Sequence, residues 1–388
     1  MLVAHRIGDC PRCGHNVFGN VLISGNLLLR GCGRCTYSQE IPLRRLRKEV
    51  LYLDQSFFSG AFRARENRYV RLFERISRLA SMQLMTVPRS SVHDSETRLW
   101  VDATHLRDFI KRASRGSRFE HSFRVERDQI FRGFRSWRAN EPTGQLLQEE
   151  VLAPSAHEWD SYLHVDVQLP DGGVEEEREL KRQSMENLIA LFDEWRESES
   201  TFEEDVVGEV AGAKRKYLAQ YGEAIQRAFE GDFDHIINGT VGVSIVQGMR
   251  LQLPREMGVL DQIRTCAAFF DSQAFAELPV QYVRSRAYAA LKAQVKAGAF
   301  RNVARARTKL KGFYTDVEHV AQYAPYCNAV ALDQPMAALM NYPGLELEKR
   351  YAVRVFSLNN LAEFHAWLDG VEEAMPAEHQ IDLDLAYP

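Results

Sequence analysis

Two Cys-x-x-Cys pairs lie within the first 35 residues, in CPRCGHNVFGNVLISGNLLLRGCGRC, and they constrain this chain more than any other feature. Zinc prefers four soft ligands in a tetrahedron, and two tight knuckles supply two thiolates each. Cys10 and Cys13 form the first knuckle, Cys32 and Cys35 the second. Gly14, after the first knuckle, and Gly33, within the second, suit the backbone freedom a knuckle needs. The intervening VLISGNLLLR reads as a β-hairpin turning at Ser24-Gly25-Asn26. Four cysteines leave no open ligand position, so the expected zinc is structural rather than catalytic. Free thiols or a redox Cys-x-x-Cys are the competing reading. No His-x-Glu precedes either Cys-x-x-Cys pair, so the zinc-deaminase signature is incomplete. His15 reads as a bystander, and 1–45 as a zinc ribbon.

The other two cysteines, Cys266 and Cys327, read as ordinary buried residues. Six cysteines in 388 residues are not a secreted disulfide scaffold. No apolar run reaches the roughly 18 residues of a membrane span, and the N-terminus carries no signal-peptide pattern. The expected location is therefore intracellular, in the cytoplasm. The length predicts two or three domains.

Past a basic connector, IPLRRLRK (41–48), Val50-Leu51-Tyr52-Leu53 reads as a buried strand ending in Asp54. RARENRYVRLFERISRLASM follows as an amphipathic helix with Val70, Leu72, Phe73, Ile76 and Leu79 on its apolar face. LMTVP (84–88) predicts a second strand stopped by Pro88. SSVHDSETRLW opens a helix, with Ser91 and Asp94 as its cap. From about Val101 the strand–helix alternation lapses into a long, mainly helical stretch. It returns near 312. GFYTDVEHVAQYAPYC predicts a helix opened by Thr315 or Asp316, and Ala329 to Leu332 a strand ending in Asp333. VRVFSL (353–358) is a last strand, and NNLAEFHAWLDGV a last helix. The reading is an α/β domain in two parts, 48–100 and 312–370. A helical insertion, 101–311, interrupts it, and a tail, 371–388, follows.

Charge is segregated. Residues 141–210 hold twenty Asp and Glu against four Lys and Arg, whereas 282–315 hold no acid. The second stretch carries Arg305, Arg307, Lys309 and Lys311 just before Asp316. Another basic stretch spans 107–138. Such runs suit a polyanion such as nucleic acid. Solvated helix faces are the alternative.

Asp54 and Asp333 each follow a predicted strand. Asp316 and Glu96 sit in the first turns of predicted helices. Open α/β sheets bind ligands at the carboxyl ends of their strands, where these four acids can converge. Crowded carboxylates raise each other's pKa unless a cation offsets the charge. Mg²⁺ or Mn²⁺ binds such hard oxygen ligands and supports phosphodiester hydrolysis. Asp94 is a rival to Glu96, and Glu318 reads as a solvated helix residue.

At these residues the chain resembles the PIN-domain nucleases. LYLDQSFFS is similar to the family's first strand ending in Asp; Asp54 and Ser56 match. VPRSSVHDSETRLW is similar to its strand, Ser and acid-bearing helix; Ser90 and Glu96 match. FYTDVEHVAQYAPYCNAVALDQPM is similar to its Asp-bearing helix and following strand; Asp316 and Asp333 match. VFSLNNLAEFHAWL resembles the closing strand and helix. The resemblance covers roughly 48–100 and 312–370. It implies an α/β/α sandwich with a central parallel sheet and Mg²⁺- or Mn²⁺-dependent cleavage, usually of RNA. Gln55 departs from it, where many relatives carry Thr, and Asn328 stands where an extra acid would fit.

The expectation is thus a metal-dependent nuclease, with RNA ahead of DNA as partner. A homo-oligomer or a regulatory protein partner stays open. The rivals are a nucleic-acid-binding protein with an inactive fold of this type, an enzyme with the same carboxylate site acting on DNA, and an interaction scaffold using the acidic helices. Arg115 to His121, RGSRFEH, has the Arg-then-His spacing of helical HEPN-type ribonucleases, a low-specificity pattern. Phe134, Trp137 and Asn140 are candidates for base stacking or for core packing.

Overall fold

The structure, a computed structural model, describes residues 1–64, 66–100, 102–153, 156–162, 174–232, 234 and 240–388. The N-terminal module is a four-stranded antiparallel sheet of β1 (His5–Gly8), β2 (Phe18–Ser24), β3 (Leu27–Cys32) and β4 (Ser38–Pro42), in that order. Ser24 pairs with Leu27, so the turn is only Gly25-Asn26, tighter than the sequence suggested. Gly25 takes a φ of +58°, which its missing Cβ permits.

The α/β part is built on a parallel sheet. Its strands β5 (Glu49–Leu53) and β6 (Met85–Thr86) come first in the chain. An antiparallel pair follows, β7 (Arg118–Phe119) and β8 (Leu152–Ala153). β9 (Ala329–Ala331) and β10 (Arg354–Phe356) complete the sheet in the order β10–β9–β5–β6. A bridge between Arg89 and Arg118 carries the strand direction on from β6 to β7.

Residues 50–53 are buried on both faces, as a central parallel strand requires. Val50 and Tyr52 enter one core with Val330 and Val355, while Leu51 and Leu53 enter the other with Ala329, Ala331 and Phe356. Helices Gln55–Phe62, Asn67–Ser81, Ala103–Ser114 and Leu361–Glu373 cover the second face through Phe58, Leu72, Leu79, Leu106 and Phe364. Helices Pro279–Lys296, Phe313–Tyr323 and Gln334–Met340 cover the first through Val283, Ala287, Val317 and Met336. Helix layers on both faces of a parallel sheet make an α/β sandwich.

Two of these covering helices, Ala103–Ser114 and Pro279–Lys296, come from the stretch read as an insertion. Helical periodicity shows which face of a helix is apolar, not which core receives it. Other helices of that stretch build a separate helical core around Phe134, Tyr217, Val246, Phe269 and Phe275, while Phe119, Leu152, Phe192 and Trp195 join the sheet's first core. Phe134 is fully buried there, and Trp137 stacks on it, so both serve packing. Asn140 ends its helix in a left-handed conformation.

The charge segregation is largely resolved inside the fold. Arg284 pairs with Glu126 and Glu318, Lys292 and Lys296 with Asp205, and Arg307 with Glu186. Acids from one stretch thereby neutralise bases from another. Part of the acidic stretch, 163–173, lies outside the described residues. Glu318, expected on a solvated face, is instead held by Arg284.

The segment read as a tail carries the helix His379–Ala386, which docks on the ribbon. Asn20 Nδ2 donates to the carbonyls of Leu385 and Ala386 at 2.8 and 3.1 Å. Arg44 pairs with Asp382 at 2.7 Å. Ala386 shares a small core with Ile23, Leu28, Leu43, Leu46 and Trp159. Among the described residues, no helix is long and apolar enough to cross a membrane.

Candidate metal centre and carboxylate site

The four ribbon cysteines bring their sulfurs within 4.8 Å of one another, an arrangement that can hold a zinc-type ion. Cys10 Sγ lies 3.7 Å from Cys35 Sγ, and Cys13 Sγ 3.7 Å from Cys32 Sγ. A tetrahedral zinc with bonds of about 2.3 Å spaces its sulfurs at about 3.8 Å, whereas a disulfide needs about 2.05 Å. All four are therefore free thiols at metal-site spacing. Backbone amides of Arg12, Arg34 and Cys35 point at Cys10 and Cys32 sulfurs at 3.3–3.4 Å. The Arg34 amide, aided by that of Cys35, holds the Cys32 thiol down at about 6 against burial. That favours the thiolate at Cys32, whereas Cys13 in the same cluster, against the His15 backbone, is pushed up to about 11 by burial and the neighbouring thiols. His15 turns its Nδ1 to the Cys13 carbonyl, outside the sulfur cluster.

The acids belong to a second site, at the carboxyl edge of the parallel sheet. Asp54 follows β5, and its amide donates to Ala331 at the end of neighbouring β9. Asp333 lies just beyond that strand. Both cap the helices they open: Ser56 N donates to Asp54 at 3.2 Å, and Met336 N to Asp333 at 2.9 Å. Asp316 stands in the first turn of the Phe313–Tyr323 helix, which begins at Phe313 with Gly312 as its cap, earlier than expected. A Cβ on Gly312 would lie 2.9 Å from an Asp316 carboxylate oxygen, so the carboxylate folds back over its own helix start.

Glu96 comes from the Ser91–Arg98 helix. Its cap is Ser90 rather than Ser91, and a histidine closes the capping box. His93 Nδ1 accepts from the Ser90 amide at 3.0 Å, and Nε2 reaches the Leu53 carbonyl at 2.8 Å. Burial holds this imidazole at about 4, hence neutral. His93 thus ties the Glu96 helix to the residue before Asp54. Sequence reasoning missed it, because a capping box signals itself by Glu or Gln at that position. Asp94, the rival acid, turns instead to Arg89 at 3.5 Å.

The four acids sense one another. Burial raises the Asp316 carboxyl well above the usual range, and the charges of Asp54, Glu96 and Asp333 add to it, opposed by Lys181. Burial also raises Asp54; Ser56 opposes this and Asp333 adds to it. Asp333 is raised by burial. Each keeps some exposure to solvent while being densely surrounded by protein. Lys181, from a helix of the insertion, approaches Glu96 at 3.6 Å. Tyr52 lies under the cluster, kept protonated by burial and by the charges of Asp54, Glu96 and Asp316. His319, one turn beyond Asp316, is buried and neutral.

The cluster is open rather than tight. Among the described residues, only the cysteines bring three or more ligand atoms within 4.8 Å of one another. Lys309 shares a cleft of about 350 Å³ with Asp316 and Asp333. Arg305 and Lys311 are exposed, and Arg307 is engaged by Glu186. Gln55 is buried and donates to Thr97 at 3.0 Å. Asn328 is a sheet bracket, accepting from Val50 N at 2.8 Å at the opposite strand end from Asp54. Arg115 is held by Asp160, and His121 caps the helix after it, so this pair is used structurally. Comparisons with family models, curated proteins and solved structures each return no match.

Proposed function

We propose that the chain is a metal-dependent nuclease of PIN-like organisation that hydrolyses phosphodiester bonds, with RNA as substrate. One observation carries this reading: acids from four distant segments meet at the carboxyl edge of a parallel sheet, and three of them have raised proton affinity. A protein gains nothing in stability from crowding carboxylates in a poorly solvated place. A divalent cation reverses the penalty. Mg²⁺ retains several waters and takes only one or two direct carboxylates, which suits an open cluster. When bound, such an ion supplies water activation and stabilisation of the leaving oxygen.

The chain's own residues do the rest. Asp54 and Asp333 are fixed by the helices they cap, Glu96 by the Ser90–His93 box, and Asp316 by its fold over Gly312. Lys309 supplies positive charge beside Asp316 and Asp333 for a phosphate backbone. The ribbon zinc takes no part in the chemistry, its four ligands leaving no open position.

The test uses labelled RNA and single-stranded DNA with Mg²⁺, Mn²⁺ or EDTA. Wild type should cut RNA with either metal and not in EDTA. Asp54→Asn and Asp333→Asn should each lose about 100-fold or more in rate, the scale of removing one stabilising group at a reacting centre. Undiminished cutting in EDTA refutes the metal mechanism. A second reading, nucleic-acid binding without catalysis, draws on the capping roles of Asp54 and Asp333 and on the open spacing. RNA binding with no cleavage under any metal would favour it.

A further inference from the structure

A cavity of about 880 Å³ lies between the helical core and the Phe313–Tyr323 helix. That volume is within the range of small-molecule sites, about 300–1,000 Å³. Gly312, Thr315, Glu318 and Gln322 form one wall, so the helix that offers Asp316 to the acids offers these residues to the cavity. Lys181, paired to Glu96, is also in its lining. The cavity and the acid cluster are therefore neighbours sharing two elements.

Its polar lining is incompletely paired. Gln322 is 5% exposed, and its Oε1 has no hydrogen-bond partner among the described residues; the same holds for the Tyr288 hydroxyl. A buried acceptor without a donor costs free energy until a ligand supplies one. Arg284 pairs with both Glu126 and Glu318 in the same lining. Lys216 and Lys311 also line it, with no salt-bridge partner among the described residues. The unpaired lining is thus mixed: Gln322 Oε1 accepts, Arg284 Nε donates and the Tyr288 hydroxyl does either, with cations in the wall.

We propose that this cavity holds one nucleotide of a single-stranded substrate, its base among Gln322, Tyr288 and Arg284 and its phosphate toward Lys311. The proposal rests on the nuclease reading for the neighbouring acids. Every base carries donors and acceptors on one edge, which such a mixed lining can pair. Only an unpaired base can turn that edge to protein groups, which sets the substrate class as single-stranded.

Calorimetric titration of the full chain with AMP and with ribose 5-phosphate, without divalent metal, tests this. AMP should bind saturably at one site, and ribose 5-phosphate, which lacks the base, at least 10-fold more weakly. Asp54→Asn should bind AMP as wild type does. Gln322→Leu and Lys311→Ala should each weaken AMP at least 5-fold. If Gln322→Leu fails to fold, Tyr288→Phe removes only a hydroxyl and should weaken AMP in the same direction. No saturable binding at millimolar AMP, equal binding of ribose 5-phosphate, or wild-type affinity in folded Gln322 and Tyr288 variants would each overturn the proposal. RNA cleavage without nucleotide binding overturns the cavity alone. Nucleotide binding without cleavage overturns the nuclease reading and supports the cavity.

Discussion

Asp54 and Asp333 each cap a helix and face other acids, so substitution separates two roles. Asparagine caps a helix about as well as aspartate, but it carries no charge into the cluster. The sign of the pH effect follows from the raised carboxyls. An acid whose folded pKa exceeds its unfolded value binds more protons folded than unfolded. Its ionisation therefore subtracts stability as pH rises from about 4. In metal-free protein, the melting temperature of Asp54→Asn minus that of wild type should grow as pH rises from 4 toward 8, measured by thermal unfolding. Buried His93, held at about 4, acts oppositely: it costs stability as pH falls below about 6.5. The variant-minus-wild-type difference removes that background. A flat difference would show that Asp54 is not charge-stressed. Gly312→Ala is a second probe, since its Cβ meets the Asp316 carboxylate at 2.9 Å. It should cost roughly 1 kcal/mol or less in stability and still lower cleavage at least 10-fold by moving Asp316.

At the scale of elements, the strands that bear acids were legible. Val50 to Leu53 is a continuous apolar run ending in Asp54, and Ala329 to Leu332 is another ending in Asp333; such runs suit strands buried on both faces. What joins the elements was not. His93 links the Ser90 cap of the Glu96 helix to Leu53 through two hydrogen bonds, yet a histidine three residues after Ser90 is not the Glu or Gln by which a capping box is recognised in sequence. His93→Ala should destabilise by about 2–4 kcal/mol, since a buried side chain is lost and two backbone partners are left unpaired. Urea unfolding checks it, and unchanged stability would remove His93 from the account. The pairing of Arg284 with Glu126 and Glu318 was equally hidden, because its partners lie far apart in sequence. The cavity was invisible for another reason: it is space between helices, and no residue pattern encodes it.

On the scale of the whole molecule, the ribbon, the α/β sandwich and the C-terminal helix are tied together. Lys48 is buried and paired with Asp160 at 2.8 Å, and Asp160 also holds Arg115. His379 on the C-terminal helix reaches the Met82 carbonyl at 2.7 Å, while the same helix grips Asn20 and Arg44. Zinc loss should therefore be felt beyond the ribbon. Cys10→Ser should lower zinc content from one per chain, measured by elemental analysis, and should speed proteolysis near 379–386. A variant that keeps its zinc would contradict the four-cysteine centre.

The central claim is that Asp54, Glu96, Asp316 and Asp333 form one divalent-cation site. Mn²⁺ titration of zinc-loaded protein, followed by electron paramagnetic resonance, tests it most directly. Wild type should bind Mn²⁺ saturably, more tightly as pH rises because the ion competes with protons on the raised carboxyls. Asp316→Asn should lose that binding while keeping its zinc. Absence of saturable Mn²⁺ binding in wild type, or equal binding in Asp316→Asn, would contradict the claim.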